Sequence, residues 1–331
     1  LLIMPLWLSA QLNTSYNHFL HFSVKEGLSE STVMAFEEDQ LGRVWIGTRN
    51  GLNLYDGEEV KIFRPQPESE NKGLVSSDII SLEEDNQGYI WIGTFNGLSR
   101  FDPKTEQFET FFNSSVEGKS AHRSVRVIKQ LSDGNIWIGT SMGLLLYNKK
   151  SGFKSYTIID NTKDLLIADI FEDTDKNIWL GTEKGLISVK EKDGTLEFEK
   201  IEDQSSKLNS IVLSINELDR QNLIIGTKQS GVLVYNKKEN FFTLFRPNEI
   251  TSKDIRKIKY DSDENLWIGT YDGAYVIDHK SQDVISIRNQ TGNPNSLTKN
   301  SIKEIFTDKK GSVWLGTYYG GLNIWNKNNI N

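Results

Sequence analysis

Apolar residues that alternate with polar ones recur in short segments along almost the whole chain. Between positions 78 and 112, four such segments follow one another, at 78–83, 89–94, 98–101 and 107–112. Asp, Asn, Gly and Pro separate them, and these residues are typical of turns. Because a period of two indicates a strand with one buried face, we predict a unit of four antiparallel strands, labelled A to D in chain order.

A block of Trp, Ile or Leu, Gly and Thr lies in strand B of each predicted unit and shows that the unit is repeated. Its copies begin at Trp45, Trp91, Trp137, Trp179, Trp267 and Trp314, and a degenerate copy begins at Ile224. Successive copies begin 42 to 47 residues apart, which is the length of a four-stranded propeller blade. The seven copies therefore predict an all-β fold, a seven-bladed β-propeller of four-stranded antiparallel blades.

Asp and Gly residues at fixed offsets from the block predict the turns of each unit. An Asp lies six residues before the Trp in five units, at Asp39, Asp85, Asp173, Asp261 and Asp308. Its side chain can accept a hydrogen bond from the backbone two residues later, and a following Gly, such as Gly42, allows the positive φ of a tight A–B hairpin. We expect a second set of glycines to close the B–C hairpins: Gly51, Gly97, Gly143, Gly185, Gly231, Gly273 and Gly320.

The two ends of the chain predict how the ring closes. After the last block the chain has a strand C at 322–325 and then Asn-rich residues, with no strand D. Residues 18–22 precede the first strand A, at 32–36, and have the alternating pattern of the other D strands. We predict that they complete the seventh blade, since this would remove an open sheet edge.

The repeated Trp has two interpretations. A ring exposed in each unit could stack on a sugar, whereas a ring at the same strand position in every unit is what packing between blades requires. We favour packing, and we expect the Gly that follows to let neighbouring blades approach each other.

Composition limits the partners. The formal net charge of -7 and the absence of a dense Lys/Arg cluster disfavour nucleic acid and anionic lipid. The chain contains no Cys, which excludes disulfides, thiolate metal ligands and a Cys nucleophile.

The first ten residues, LLIMPLWLSA, form an apolar run that is too short to span a membrane. The run resembles the apolar region and cleavage site of an export signal, so we predict a signal-peptide remnant at 1–10 and a single propeller domain at 11–331. The alternative is a buried first strand.

The motif D-x-x-G-x-x-W-[IL]-G-T-x-x-G-[LI], repeated over residues 18–326, resembles the two-component regulator propeller repeat. This resemblance implies the N-terminal, periplasmic sensor propeller of a Bacteroidetes hybrid two-component system. Streptogramin lyases and other seven-bladed propellers share weaker versions of the motif.

In the resembled family, the receptor continues into a second propeller, a β-sandwich domain, a membrane helix, a histidine kinase and a response regulator with an AraC-type DNA-binding region. The usual inputs are oligosaccharides. The resemblance therefore implies an oligosaccharide ligand, neighbouring domains of the same receptor as partners, and a possible homodimer. It also implies contact with the membrane only through those other domains, and no nucleic acid bound by this part of the receptor.

The B–C turns differ from unit to unit, and in a propeller they lie near the central channel on the face that also carries the D–A connections. A ring of aromatic, amide and charged side chains there could stack on a sugar and bind its hydroxyl groups. The predicted ligand residues are Arg49, Asn50, Phe95, Asn96, Glu183, Lys184, Lys228, Gln229, Tyr271, Asp272, Tyr318 and Tyr319. Two other interpretations remain open: these residues serve only the turns, or they dock another domain.

Little in the sequence indicates catalysis. The four histidines, at 18, 21, 122 and 279, fall in different parts of the predicted fold. The segments 173–177 and 261–265 resemble calcium loops but lack the rest of the EF-hand spacing. We therefore predict no catalytic residue, no metal and no cofactor. The alternatives are a carbohydrate-active propeller enzyme, either a lyase or a glycoside hydrolase, and a protein-interaction scaffold.

Overall fold

The protein forms seven four-stranded antiparallel sheets, and each sheet is one blade of a propeller. The computed structural model describes residues 16, 18–66, 73–113, 124–158, 165–192, 194–204, 206–208 and 210–327. The predicted seven-bladed, all-β architecture is confirmed. The predicted signal peptide at 1–10 and His122 lie outside the described residues.

The first three complete blades follow in chain order, each with its strands A to D adjacent in the sheet. Blade one contains β2 (Val33–Glu38), β3 (Val44–Thr48), β4 (Gly51–Tyr55) and β5 (Val60–Phe63). Blade two contains β6 (Ile79–Glu84), β7 (Ile90–Thr94), β8 (Gly97–Asp102) and β9 (Gln107–Asn113). Blade three contains β10 (Val125–Gln130), β11 (Ile136–Thr140), β12 (Gly143–Asn148) and β13 (Gly152–Tyr156).

The next three blades repeat this order. Blade four contains β14 (Ile167–Glu172), β15 (Ile178–Thr182), β16 (Gly185–Lys192) and β17 (Thr195–Lys200). Blade five contains β18 (Val212–Asp219), β19 (Asn222–Thr227), β20 (Val232–Asn236) and β21 (Phe241–Leu244). Blade six contains β22 (Ile255–Tyr260), β23 (Leu266–Thr270), β24 (Gly273–Ile277) and β25 (Val284–Ile287).

Blade seven is built from both ends of the chain, as predicted. It contains β26 (Ile302–Thr307), β27 (Val313–Thr317), β28 (Leu322–Trp325) and β1 (Phe19–Phe22). A 3-10 helix, Val24–Glu26, links β1 to blade one. β1 pairs antiparallel with β28, and the buried Phe19 joins the core between blades six and seven.

Strand A is the innermost strand of every blade. The A strands contact one another in a closed ring, from β2 through β6, β10, β14, β18, β22 and β26 back to β2. They therefore line a central channel, while the D strands lie at the outer edge.

The core consists of seven clusters, and each cluster fills the space between two neighbouring blades. Trp45, for example, is fully buried against Ile79, Leu82 and Phe101 of blade two. The packing interpretation of the repeated Trp is confirmed for all six copies, because each is buried in such a cluster. Ile224 takes the same role in blade five.

The Gly after each Trp-Ile or Trp-Leu pair allows the predicted close approach of neighbouring blades, because it lies against the first residue of strand A in the next blade. A Cβ added at Gly47 would lie 2.7 Å from Ile79, and one at Gly139 would lie 2.7 Å from Ile167. The contact that closes the ring is the loosest of the set, with 3.0 Å between a Cβ at Gly316 and Val33. Only Gly leaves room for this approach.

Each Asp of the A–B turn holds both the turn and the Trp. In blade six, Asp261 Oδ1 accepts the backbone N–H groups of Asp263 and Asn265, both at 2.9 Å. Asp261 Oδ2 accepts the indole N–H of Trp267 at 2.8 Å. The turn contacts were predicted, whereas the indole bond was not.

The indole bond recurs in every blade that has the Trp. Five of the six bonds go to the Asp six residues earlier. In blade three that position is Leu131, and Trp137 instead donates to Asp133, four residues earlier, at 3.3 Å.

The Thr of each block closes the B–C hairpin. Its buried hydroxyl donates to a Gly carbonyl in all seven blades, at 2.8 to 3.0 Å. In blade seven the acceptor is Gly321, which has a φ of 72°, and not the predicted Gly320. The prediction of Gly320 was wrong because the turn of blade seven is one residue longer, as it is in blade five.

We expect Phe19→Ala to lower the free energy of unfolding by about 3–5 kcal/mol, because it leaves a cavity in the closing interface. Leu20→Ala on the same strand is the control; Leu20 is 51% exposed, so its loss should cost less than about 0.5 kcal/mol. Urea unfolding followed by Trp fluorescence measures both. Equal effects of the two variants would contradict the assignment of Phe19 as the closing contact.

We expect Asp261→Ala to cost about 3 kcal/mol, because it leaves the buried indole N–H of Trp267 and two turn N–H groups without their acceptor. Asp263→Ala, two residues later in the same hairpin, is the control. Asp263 makes a surface ion pair with Lys327, so we expect a loss of about 0–1 kcal/mol in the same unfolding assay. A loss below 1 kcal/mol for Asp261→Ala, on the order of a surface pair, would show that the indole bond is unimportant.

Candidate functional site

The B–C turns lie at one end of the channel, beside the start of the innermost strands. The backbone N–H of Phe95 donates to the carbonyl of Asp78 at 3.0 Å, just before strand A of the same blade. The corresponding bonds from Ser141, Glu183, Lys228, Tyr271 and Tyr318 repeat this contact in blades three to seven. The predicted shared face of B–C turns and D–A connections is therefore present, and we call it the rim.

The backbone of the rim is bonded within the protein, while many of its side chains are exposed. In blades one, two, three, four and six, the N–H of the second turn residue donates to the Thr hydroxyl of the block. Phe95, Tyr271 and Tyr319 are 54%, 62% and 65% exposed. The turns therefore use up their own N–H groups but leave these aromatic faces open to solvent.

One group of predicted residues comes together between blades seven and one. Arg49 Nη1 donates to the Tyr318 hydroxyl at 3.3 Å, and its guanidinium lies 5.9 Å from the centre of that ring. Tyr318 and Tyr319 meet edge to face at 5.0 Å. Arg49 also lies 3.9 Å from the Asp78 carboxylate of blade two.

A second group forms around the turn of blade six. Asp272 accepts hydrogen bonds from Arg288 at 3.2 Å and from Asn300 at 3.3 Å. The guanidinium of Arg256 lies 5.7 Å from the centre of the Tyr271 ring. Arg256, Arg288 and Asn300 were not among the predicted ligand residues.

The other predicted residues stay in their own blades. Asn50 and Asn96 lie beside their Thr residues, and Lys184, Lys228 and Gln229 are exposed on the turns of blades four and five. Glu183 accepts a hydrogen bond from the N–H of Leu166 at 3.4 Å. The structure thus brings together residues of blades six, seven and one, and leaves the others spread around the rim.

Just below the rim, the second residue of every strand A forms a β-bulge. The pairing with strand B skips this residue in all seven blades. The residues before and after it face the neighbouring blades, so the bulge turns the skipped side chain towards the channel. The seven half-buried residues that form this channel mouth are Met34, Ile80, Arg126, Ala168, Leu213, Arg256 and Lys303.

A belt of charged side chains lies deeper in the channel. Lys129 pairs with Glu83 at 2.6 Å, and Lys257 pairs with Glu304 at 3.1 Å. The other members of this channel belt are Glu37, Asp169 and Lys259. Sequence reasoning missed both the mouth and the belt, although charged residues inside an apolar strand pattern were the available signal.

Two carboxyl groups of the channel belt have raised pKa values. Burial raises the pKa of the Glu37 carboxyl to about 8, and the nearby Glu83 carboxylate adds to this effect. Burial also raises the pKa of Asp169, whose carboxylate accepts the backbone N–H of Ile215 in the next blade at 2.7 Å.

The mouth concentrates positive charge. Burial lowers the pKa of the Lys303 amine to about 8, and the guanidinium groups of Arg126 and Arg256 lower it further than burial alone would. Because Arg126 belongs to blade three and Lys303 to blade seven, their interaction crosses the channel.

The candidates for catalysis and metal binding are dispersed. His21 contacts the carbonyl of Ser296 at 2.8 Å in the closing blade, and His279 lies 3.3 Å from Glu264 on the outer surface. Within the part of the chain that the structure describes, no three His, Cys, Asp or Glu residues are grouped to hold a metal ion. In the segments 173–177 and 261–265, the first Asp carboxylate serves the turn and the indole.

Two grooves lie between outer parts of neighbouring blades. One is lined by Phe245, Tyr260 and His279 between blades five and six, and the other by Phe63, Leu74 and Phe108 between blades one and two. Neither groove contains a predicted ligand residue. Across the described ranges, no helix is long and apolar enough to cross a bilayer.

The model of the two-component regulator propeller family matches residues 27–50, 73–96 and 249–272. Each match runs through strands A and B to the B–C turn, in blades one, two and six. The resemblance predicted from the repeated sequence is confirmed.

Three known proteins show how far the similarity extends. Histidine kinase P4 of Formosa agariphila is 48% identical over 50 residues, which are 15% of this chain and 4% of that protein. The extracellular domain of BT3049, a proposed hybrid two-component system of B. thetaiotaomicron, has a TM-score of 0.79 and 24% identity, over 94% of this chain and 42% of that chain. The extracellular domain of BT4673, of the same kind and organism, gives a TM-score of 0.76 and 26% identity, over 94% and 40%.

The chain therefore spans less than half of these two solved domains and a small part of the kinase. It is similar in sequence and fold to extracellular domains of two-component systems.

We expect the stability difference between Lys303→Met and the wild type to depend on pH. The folded state releases the Lys303 proton near pH 8 and the unfolded state releases it near its usual 10.5, so the unfolded chain binds more protons in between. The free energy of unfolding of the wild type therefore rises with pH through that window because of Lys303, whereas Lys303→Met lacks this contribution. We expect Lys303→Met to be more stable than the wild type at pH 7 and this difference in stability to shrink towards pH 10.

Urea unfolding at a series of pH values measures this difference. Lys299→Met removes an exposed lysine from the adjacent D–A connection and controls for the loss of one positive charge. A difference between Lys303→Met and wild type that stays constant with pH would contradict the lowered pKa of Lys303.

Proposed function

We propose that this chain, whose blades carry the two-component regulator propeller repeat, is a ligand-sensing domain of a hybrid two-component receptor. Its similarity to extracellular domains of such systems supports this role. The domain would lie on the periplasmic side of the inner membrane. A histidine kinase elsewhere in the receptor would receive its signal.

The proposed ligand is an oligosaccharide that binds at the rim. One observation carries this proposal: the turns satisfy their own backbone, yet the aromatic faces of Tyr271 and Tyr319 remain exposed around a channel mouth that contains basic side chains. A sugar ring presents an apolar face for stacking and hydroxyl groups for hydrogen bonds. Arg49, Asp272 and Asn300 offer donors and acceptors beside these rings.

Signal transmission would require movement between domains. The blades are locked to one another around a closed ring, which leaves no hinge inside the propeller. A ligand that contacts both the rim and a neighbouring domain would favour one relative position over another. The second propeller and the β-sandwich domain of the receptor are the partners proposed for this step, and a homodimer is proposed as a further arrangement.

One observation favours a carbohydrate-active enzyme as the second candidate. Glycoside cleavage uses one carboxyl group of raised pKa beside one that stays ionised. Glu37, with its raised pKa, lies near Glu83 in the channel belt. The ion pair between Glu83 and Lys129 instead indicates a structural role for this pair of acids.

We expect isothermal titration with a panel of host and dietary oligosaccharides to give saturable binding without cleavage products in the same samples. The double variant Tyr271→Ala, Tyr319→Ala should bind about tenfold more weakly, which corresponds to a loss of ~1.4 kcal/mol. Phe241→Ala is the matched control, because Phe241 is also exposed but lies on the outer strand of blade five.

Each alternative result has a distinct meaning. Cleavage products that form with the wild type but not with Glu37→Gln would favour the enzyme over the sensor as the function. Binding that survives the double Tyr variant would remove the rim aromatics from the site. No binding of any sugar would favour a protein-interaction scaffold.

A further inference from the structure

The channel mouth contains three basic residues on strands that come from opposite sides of the ring. Arg126, Arg256 and Lys303 occupy the bulged positions of blades three, six and seven. We propose that this mouth binds the negatively charged group of an acidic oligosaccharide, a carboxylate or a sulfate, through Arg126 and Lys303. This inference rests on the proposed sensing function and names the chemical class of its ligand.

Two of the three basic groups make no direct hydrogen bond or ion pair, although the Asp78 carboxylate acts on both electrostatically. Arg256 is held by Asp254 through two ion-pair contacts, with Nη2 at 2.7 Å from Oδ2. Neither Arg126 nor Lys303 makes a hydrogen bond or ion pair with any other described residue. A half-buried guanidinium has five donors, and leaving them unused is costly unless an anion or water takes them.

The acids near the mouth are already engaged. Asp78 lies beside Arg49, Asp254 binds Arg256, and Glu304 pairs with Lys257. Glu30 accepts the N–H and the hydroxyl of Thr32. Asp78 acts on Arg126 and Lys303 without a direct bond, so the hydrogen-bond donors of these two side chains are left for a ligand.

The electrostatics agree with this geometry. The Lys303 amine has a lowered pKa, chiefly because of burial and then because of the two guanidinium groups. Like charges gathered in one half-buried place repel each other until a counter-charge arrives. An anion at the mouth would restore the protonated amine and bind both groups with charge-assisted hydrogen bonds.

The surroundings suit a charged sugar rather than a bare ion. Met34, Ile80 and Leu213 fill other bulged positions of the same ring and give the mouth an apolar wall. The exposed ring of Tyr271 stands above, beside Arg256. An acidic sugar could place its charge in the mouth and its ring face against this tyrosine.

The first test uses small anions as probes of the site itself. We expect sodium sulfate and sodium glucuronate, compared with sodium chloride at equal ionic strength, to give saturable heat in isothermal titration of the chain. Binding should weaken at least about tenfold in Arg126→Gln and in Lys303→Gln, since a hydrogen bond to a charged group contributes more than an ordinary one. Lys299→Gln, on the adjacent D–A connection, should bind like the wild type.

Both mouth variants should keep the cooperative unfolding of the wild type, because neither side chain is bonded to another described residue. Sulfate and glucuronate that behave like chloride would overturn the inference. So would equal anion binding in the wild type, Arg126→Gln and Lys303→Gln.

The second test separates this inference from the proposed function. Uronic-acid and sulfated disaccharides are titrated beside a neutral disaccharide of the same linkage. We expect only the binding of the acidic sugars to depend on Arg126 and Lys303. The acidic disaccharide that binds more tightly identifies the charged group as a carboxylate or a sulfate. Binding of neutral and acidic sugars alike, unchanged in both variants, overturns the acidic ligand and keeps the sensor. If the small anions bind but none of the oligosaccharides does, the result would overturn both the sensing function and the saccharide ligand.

Discussion

The fold depends on one close contact that is repeated between every pair of neighbouring blades. The Gly of strand B lies against the first residue of strand A in the next blade, with no room for a Cβ. This contact brings the blades close enough for the Trp of the same strand to be buried between them. The indole N–H would be left without a partner there, so the Asp of the preceding turn is needed as its acceptor. The close contact at Gly, the burial of Trp and the hydrogen bond from the indole to Asp are thus linked within one hairpin.

The sequence predicts those parts of the fold that recur at a fixed period. The spacing from Trp45 to Trp314 reveals seven blades, and the missing last strand reveals how residues 18–22 close the ring. A single departure from the period is enough to mislead, as the longer turn at Gly321 shows. The indole bond was missed for a different reason, because the same Asp already had an obvious task in its own turn.

The candidate site was predicted only in part, because its members are not periodic. The rim could be located from the turns, since every blade contributes one. The mouth and the belt depend on which residue each blade has at a bulged or channel-facing position, and these differ from blade to blade. Arg126 and Lys303 meet only because the ring is closed, and no local pattern connects them. The chemistry of this surface therefore follows from variation on a constant frame.

The pairing of β1 with β28 makes closure of the ring depend on two strands from distant parts of the sequence. Phe19 lies opposite Trp325 in register, so β1 cannot pair until β28 has been synthesised. Until then, one face of blade one and one face of blade six have no neighbour, and their apolar residues remain in water. Local hairpins can form early, but this contact spans nearly the whole length of the sequence, and such contacts form slowly. A propeller that lost β1 would leave the edge of β28 free to pair with other molecules and part of the core between blades six and seven open to water.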